Sequence, residues 1–251
     1  MALQQKSSER RKQGLFVVEG VRELIHCAHA RYEIENLFCC REILDKNPEA
    51  RKLDNLIRQT TIYEVTQAVY EKMAYRGSTE GMMAEVKVKN RTLADLDLPE
   101  SPLIVVLESV EKPGNLGAVL RSADASKTDA VIVCNPLTDL FNPNLIRSSI
   151  GAIFTVPTVA CSSQACMNFL KERNIKILTA QLQDSAPYYD SDMRGGTAIV
   201  MGTESTGLTD TWRKAADAHI RIPMLGQLDS LNVSVSAAIL MFEAVRQRSF
   251  K

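Results

Sequence analysis

The sequence predicts an α/β protein with a small N-terminal domain and a larger C-terminal domain. Three observations support this prediction. Strand-like and helix-like segments alternate through the first third of the chain, as in α/β units. Apolar, β-branched runs at residues 103–107 and 131–134 are typical of parallel strands buried on both faces. A polar stretch containing two prolines, residues 89–102, has the composition of a linker.

The elements follow from hydrophobic periodicity, and they place the domain boundary near residue 97. In the N-terminal domain, residues 1–97, we predict strands at 15–18, 34–40, 61–65 and 82–88. Helical spacing favours helices at 21–30, 49–58 and 66–73. In the C-terminal domain, residues 98–251, we predict strands at 103–107, 131–134, 153–156, 175–180, 199–202 and 220–224. Helices are predicted at 116–126, 144–150, 164–173 and 230–248, with a short polar helix after Leu208.

The net charge argues neither for nor against a nucleic-acid partner, because 30 basic residues balance 30 acidic ones. A nucleic-acid surface would therefore depend on local clusters. One such cluster is Arg10-Arg11-Lys12. These side chains are either simply solvated or bind the phosphates of a nucleic acid. The chain has no apolar run of the roughly 20 residues that a membrane helix needs, and we expect a cytoplasmic protein.

The cysteines and histidines give no prediction of a metal site. None of the six cysteines forms a C-x-x-C pair, so reduced and packed thiols are expected. His26 and His29 are three residues apart on a predicted helix, a spacing that can share a metal ion. No third ligand has a compelling position, and we predict no metal.

Three polar motifs in the second half are the candidates for chemistry. The first runs from Asn115, a plausible helix N-cap, to Arg121. The second is the loop of residues 202–207, where two glycines flank Glu204. It lacks the Gly-Lys-Ser/Thr ending of a phosphate loop, which disfavours a nucleotide hydrolase. The third is residues 222–234, where Ser230 is a plausible N-cap and Asn232 follows in the first turn. Ligands of open α/β sheets bind beyond the carboxyl ends of such strands.

Together and in this order, the motifs resemble the SpoU (TrmH-type) family of RNA ribose 2'-O-methyltransferases within the SPOUT superfamily. The resemblance includes Arg147-x-Ser149-x-Gly151-Ala152 between the motifs. The first half is similar to the family's substrate-binding domain at residues 16–20 and 78–81, although Thr79 stands where the family usually has proline.

The resemblance implies a C-terminal trefoil knot, at about residues 199–240, that binds S-adenosylmethionine, and it implies a homodimer with the site completed near the interface. By position, the cofactor-binding residues would be Thr179, Ala180, Gly202, Ile222, Met224 and Leu231. The catalytic set would be Arg121, Asn115, Glu204, Ser230 and Asn232. Candidate RNA contacts are Arg10, Arg11, Lys12 and Arg147.

Two mechanisms for Arg121 remain open. It could lose its proton to a substrate phosphate and then act as the base, as is proposed for the family. Alternatively, it stays charged, holds the phosphate and stabilises the forming alkoxide. We favour the second, because a guanidinium keeps its proton in proteins. Ribosomal RNA is favoured over transfer RNA as the substrate, by analogy only. The main alternative function is a non-catalytic RNA-binding protein on the same fold.

Overall fold

The computed structural model describes residues 1–53, 60–75, 80–203 and 206–249. Its backbone packing divides the chain into two units. The first unit comprises Met1–Asn90 and Asp139–Thr155, and the second comprises Arg91–Thr138 and Val156–Lys251. The predicted boundary near residue 97 stays a prediction. Within the described ranges, no helix is both long and apolar enough to cross a membrane.

The first unit contains a four-stranded sheet in the order β1-β4-β2-β3, in which only β2 and β3 pair in parallel. Its strands are β1 (Leu15–Glu19), β2 (Ile34–Cys39), β3 (Thr61–Glu64) and β4 (Met82–Lys87). Its helices are α1 (Ala2–Gln5), α2 (Ser7–Gln13), α3 (Val21–His29), α4 (Arg41–Leu44), α5 (Gln67–Met73), α7 (Pro143–Ser148) and α8 (Ala152–Thr155). A 3₁₀ helix spans Pro48–Leu53, where a longer helix was predicted; residues 54–59 lie outside the described part.

The predicted strand at residues 153–156 is wrong, because this segment is helix α8. Three apolar residues and a threonine before a proline fit a strand or a buried helical turn equally well by periodicity. Phe154 is buried and packs on Phe16 and Tyr32, with ring centroids 6.2 and 5.2 Å apart. This tertiary packing selects the helical turn, and the strand begins only after the proline.

The second unit is a seven-stranded sheet in the order β7-β6-β5-β10-β8-β11-β9, and every pairing in it is parallel. Its strands are β5 (Leu103–Glu108), β6 (Ala130–Cys134), β7 (Thr158–Cys161), β8 (Lys176–Ala180), β9 (Ala186–Pro187), β10 (Thr197–Met201) and β11 (Ala218–Arg221). Its helices are α6 (Pro113–Ala125), α9 (Ser163–Glu172), α10 (Asp210–Ala215) and α11 (Val233–Ser249).

The strand order explains where this unit can bind a ligand. The chain builds outward from β5 through β6 to β7, then crosses to β8, and β10 later inserts between β5 and β8. Strands β5, β6 and β10 are completely buried, as their continuous apolar runs predict. The reversal of direction at β5 and β10 is a topological switch point, where the loops diverge and leave a crevice.

Two helix starts differ from the predictions. Helix α6 begins at Pro113, not at residue 116, because proline suits the first turn, where no N–H partner is available. Asn115 therefore lies inside the first turn and is not the N-cap. Helix α11 begins at Val233, so Ser230 lies before it and is not its cap.

Candidate functional site

A cavity of about 400 Å³ lies at the carboxyl ends of β8, β10 and β11 in the second unit. The loops that follow these three strands supply most of its wall, and the first turns of α11 close it. Of the predicted cofactor-binding residues, five line it: Ala180, Gly202, Ile222, Met224 and Leu231. Its volume falls in the range of small-molecule sites, and its wall mixes apolar side chains with a few polar groups.

Gly202 has no room for a side chain. A β-carbon at this position would lie 2.2 Å from the carbonyl carbon and oxygen of Gly207 and 2.5 Å from the amide nitrogen of Leu208. The loop returns on itself because Thr203 and Gly207 form a backbone bridge, with the Gly207 N–H donating to the Thr203 carbonyl at 3.0 Å. Glu204, which was predicted to be catalytic, lies outside the described residues.

The buried carboxylate of Glu108 fixes the far end of this loop. Glu108 ends β5 and is 2% exposed. It accepts hydrogen bonds from the Thr209 amide at 2.9 Å, the Thr209 hydroxyl at 2.9 Å and the Ser163 hydroxyl at 3.2 Å. Ser163 in turn accepts from the indole of Trp212 at 3.1 Å. One carboxylate thus connects β5, α9 and the segment just after the loop.

We expect Glu108→Ala to lower the free energy of unfolding by about 3 kcal/mol, because it leaves buried donors without an acceptor, at about 1–3 kcal/mol each. Urea unfolding of the purified protein measures this loss. Glu172 is exposed on α9, so Glu172→Ala should change stability by less than about 0.5 kcal/mol. Equal stability of the two variants would show that Glu108 does not hold the loop.

Two polar atoms of the cavity-lining residues are buried without a partner in the described structure. They are the side-chain oxygen of Gln181 and the Nε of Arg213. Buried polar groups are nearly always hydrogen-bonded in native proteins, so an orphaned pair at a cavity indicates a missing ligand or water. One atom accepts and the other donates, which suits a ligand that has polar groups of both kinds.

A second cavity of about 240 Å³ adjoins the first and shares Gly202, Thr203 and Val233 with it. Asn115 lines this second cavity. The Asn232 amide nitrogen donates to the Asn115 side-chain oxygen at 3.2 Å, which brings the first and third motifs together. The two cavities therefore meet where residues of all three motifs converge.

Asn232 also caps α11. Its side-chain oxygen accepts from the Ser234 amide at 2.9 Å and from the Ser234 hydroxyl at 2.6 Å. This is the cap geometry that was predicted for Ser230. Ser230 instead donates to the Asp229 carboxylate at 3.0 Å and lines the larger cavity.

Arg121 is exposed on α6 and lines neither cavity of its own chain as described. Arg121 follows Asn115 by six residues. In a helix this separation is about 9 Å along the axis, and it places the two side chains on different faces. The structure therefore does not bring Arg121 beside Asn115. Within the described ranges, no side-chain hydrogen bond or ion pair engages it.

Thr179 is fully buried in β8 and does not line the cavity, although it was predicted to bind the cofactor. Its hydroxyl is 2.6 Å from Nδ1 of His219 on the neighbouring β11. The side chain therefore joins two strands behind the cavity wall, and the cavity begins at the next residue, Ala180.

The predicted RNA contacts have different environments in the first unit. Arg10 is 3% exposed and pairs with Asp139 at 2.6 Å, so its charge is not available to a phosphate. Its Nη1 also donates to the Leu3 carbonyl at 2.6 Å. Arg11, Lys12 and Arg147 are exposed.

Arg147 lines a cavity of about 240 Å³ together with Glu19, Glu23 and Glu80. Burial raises the pKa of the Glu19 carboxyl, and the nearby Arg147 opposes that rise. The charge of Arg147 is therefore partly offset by its own unit, which leaves Arg11 and Lys12 as the stronger candidates for phosphate contact.

Sequence reasoning missed Glu108, Gln181 and Arg213. A charged residue directly after the apolar run of residues 103–107, as at Glu108, was a usable sign of a loop anchor. Gln181 is a polar residue directly after β8. Nothing in the sequence marked Arg213, which reaches the cavity only through the packing of α10.

Comparison with known proteins decides the family. Residues 102–242 match the SpoU rRNA Methylase family, and residues 1–84 match the MRM3-like substrate binding domain. The chain belongs to the SpoU rRNA methylase family. The SpoU match covers every residue of the two cavities described in the second unit.

Named SpoU relatives are similar over most of the chain. The 23S rRNA (guanosine-2'-O-)-methyltransferase RlmB of Vibrio vulnificus is 34% identical over 238 residues, which cover 86% of this chain and 96% of that protein. RlmB of Escherichia coli K12 is 40% identical over 177 residues, covering 68% of this chain and 72% of that protein.

Solved SpoU structures share the fold. The crystal structure of an RNA 2'-O ribose methyltransferase is 38% identical, with a TM-score of 0.84 over 96% of this chain and 92% of that one. The SpoU methyltransferase AviRb from Streptomyces viridochromogenes, in complex with AdoMet, is 27% identical, with a TM-score of 0.89 over 98% of this chain and 95% of that one. The predicted parallel α/β fold is confirmed, and the trefoil knot stays a prediction.

Proposed function

We propose that this protein transfers a methyl group from S-adenosylmethionine to the 2'-hydroxyl of a guanosine ribose in 23S ribosomal RNA. The observation that carries the proposal is the pair of adjoining cavities where residues of all three motifs converge. The larger cavity suits the cofactor, and the smaller one suits the ribose. The choice of guanosine and of 23S rRNA as the substrate rests on the RlmB relatives, whose names specify both.

The larger cavity fits S-adenosylmethionine, which has an apolar purine face and both donor and acceptor groups. Ile222 and Leu231 would pack on the adenine, while backbone groups at Ala180, Gly202 and Met224 would bind its polar edge. The orphaned oxygen of Gln181 and Nε of Arg213 would gain partners. When bound, the cofactor supplies a methyl group on a strongly electrophilic sulfonium.

The residues around the second cavity would orient the acceptor. The side-chain amides of Asn115 and Asn232 are hydrogen-bonded to each other where the two cavities meet. From this position, either amide would form a hydrogen bond with a ribose hydroxyl. Ser230 would line the methyl end of the cofactor cavity. The role proposed for Glu204, which lies outside the described residues, is to orient Arg121 or Asn232. Placing reactants in line in this way lowers a barrier by up to about 7–11 kcal/mol in ideal cases.

Arg121 would act on the cavity of a second copy of the chain in a homodimer. It is exposed and lines neither of the two cavities of its own chain, which agrees with a role at the cavity of a partner. Exposed apolar side chains on the third motif and the last helix support an interface there: Leu225, Leu228, Leu231, Val235 and Phe242. At the partner's site, Arg121 would hold the phosphate and stabilise the forming alkoxide.

Exposed cations of the first unit would hold the RNA backbone. We expect Arg11→Ala to weaken RNA binding and to reduce the slope of log K against log salt by about 1, because one phosphate contact is lost. Arg10→Ala should instead destabilise the fold by about 3–5 kcal/mol, since it leaves Asp139 unpaired, and it should not change that slope. Filter binding at several salt concentrations measures the slope for both variants, and thermal unfolding measures their stability. A changed slope for Arg10→Ala alone would contradict this assignment.

The test of the proposed function is nucleoside analysis of 23S rRNA after incubation with the protein and methyl-labelled S-adenosylmethionine. The expected product is labelled 2'-O-methylguanosine. A label on a base would contradict ribose transfer, and a label only on transfer RNA would support the alternative substrate. RNA binding without any transfer would favour the non-catalytic alternative. We also propose a cytoplasmic location, which cell fractionation tests separately from this assay.

A further inference from the structure

Three of the six cysteines, none of which belongs to the three motifs, converge at one point of the second unit. Cys134 ends β6 and Cys161 ends β7, and the two are register partners across the parallel pair. Cys166 lies in the first turn of α9, which follows β7. All three sulfur atoms lie within 4.8 Å of one another. Among the described residues, this is the group of side chains that could share a metal ion.

The surroundings of the three sulfurs allow an ion to reach them. Cys134 and Cys166 are fully buried, whereas Cys161 is half-buried, so an ion has a route from solvent. Because the three sulfur atoms lie within 4.8 Å of one another, one ion can contact all of them. The thiolate is the form of cysteine that binds metals.

The geometry matches a trigonal sulfur site. A metal–sulfur distance of about 2.3 Å places the three sulfurs of such a site about 4.0 Å apart, inside the observed limit. Thiolates select soft ions such as Cu(I) and Zn(II). Structural zinc takes four ligands, whereas the described group offers three, which favours Cu(I).

We propose that Cys134, Cys161 and Cys166 form a binding site for one thiophilic d¹⁰ metal ion, with Cu(I) as the preferred ion. Binding forms three metal–sulfur bonds, and the three cysteines together release the protons that their thiols still carry. No electron is transferred in this step. The ion would join the ends of β6 and β7 to the start of α9, and it would stabilise this side of the sheet.

The experiment is an anaerobic titration of the reduced full-length protein with Cu(I) buffered by bicinchoninate. We expect one Cu(I) per chain, a near-ultraviolet sulfur-to-copper absorption and a rise in Tm. The Cys161→Ser variant removes the half-buried ligand and should weaken binding more than about 100-fold, because even outer-shell changes cost 10–100-fold. Cys39→Ser, in the first unit, is the matched control and should bind Cu(I) like the parent protein.

Binding that survives Cys161→Ser, or that is lost with Cys39→Ser, would overturn the proposal. Loss of thiols without bound copper in elemental analysis would indicate oxidation and would also overturn it. X-ray absorption of the loaded parent protein gives an answer even if the Cys161 variant does not fold. Three sulfur neighbours at about 2.3 Å support the site, and two or fewer contradict it. None of these measurements depends on methyl transfer.

Discussion

Arg121→Ala is expected to lower the rate of methyl transfer by about 10²–10³-fold and to leave cofactor affinity and stability unchanged. This is the cost of removing one group that stabilises charge developing in a transition state. Binding of S-adenosylhomocysteine should not change, because the proposed contacts of Arg121 are the phosphate and the ribose oxygen of the RNA and not the cofactor. Stability should not change, because the side chain is exposed. Single-turnover rates, calorimetry and thermal unfolding of the same preparation measure the three quantities.

Arg121→Lys distinguishes the two mechanisms for this residue. Lysine keeps the positive charge but loses the planar fork that binds a phosphate through two hydrogen bonds. We expect a loss of at least about 10-fold relative to the parent protein. Nearly full activity of the lysine variant would argue against a bidentate arginine clamp.

Gly202→Ala is expected to weaken cofactor binding strongly. The added β-carbon would lie 2.2 Å from the backbone of Gly207, so the loop itself has to move. Forcing a methyl group into packed structure costs about 1–3 kcal/mol, and a backbone clash places this case at the upper end. The KM for S-adenosylmethionine should therefore rise by about 100-fold.

Gly195→Ala is the matched control for this prediction. A β-carbon at Gly195 would meet no atom within 4 Å, so the variant should keep the parent KM. Equal KM values for the two alanine variants would show that the 202–208 loop does not form the cofactor wall.

The two impaired variants, assayed at a concentration of S-adenosylmethionine near the parent KM, together test whether Arg121 acts across a dimer. Mixed after unfolding and refolding at equal amounts, Arg121→Ala and Gly202→Ala chains should regain about one quarter of the parent activity. Half of the dimers would be mixed, and each mixed dimer would have one intact cavity facing one intact arginine. If Arg121 served its own chain, no mixture could regain activity.

Much of the architecture could be predicted because its causes are local. The apolar run of β5 and the helical spacing after Val21 each specify one element, and the motif loops follow strands that are visible in the sequence. The ordered motifs also predicted which loops meet, and Asn115 and Asn232 do meet although 117 residues separate them.

The errors arise where tertiary packing decides between equal local choices. Helix α8 exists because Phe154 packs on Phe16 and Tyr32, which lie more than a hundred residues earlier. Arg10 was predicted to contact RNA, but it is buried and bound to Asp139 and to the Leu3 carbonyl. The three clustered cysteines could not be predicted from spacing, because they lie on two strands and a helix that meet only in the folded unit.

The central claim is that the loops after β8, β10 and β11 hold S-adenosylmethionine beside a second cavity for the ribose. A crystal structure of the protein with S-adenosylhomocysteine tests it most directly. We predict one molecule per chain in the larger cavity, with its adenine between Ile222 and Leu231 and its sulfur toward Asn115. An empty larger cavity, or the molecule bound elsewhere on the chain, would contradict the claim.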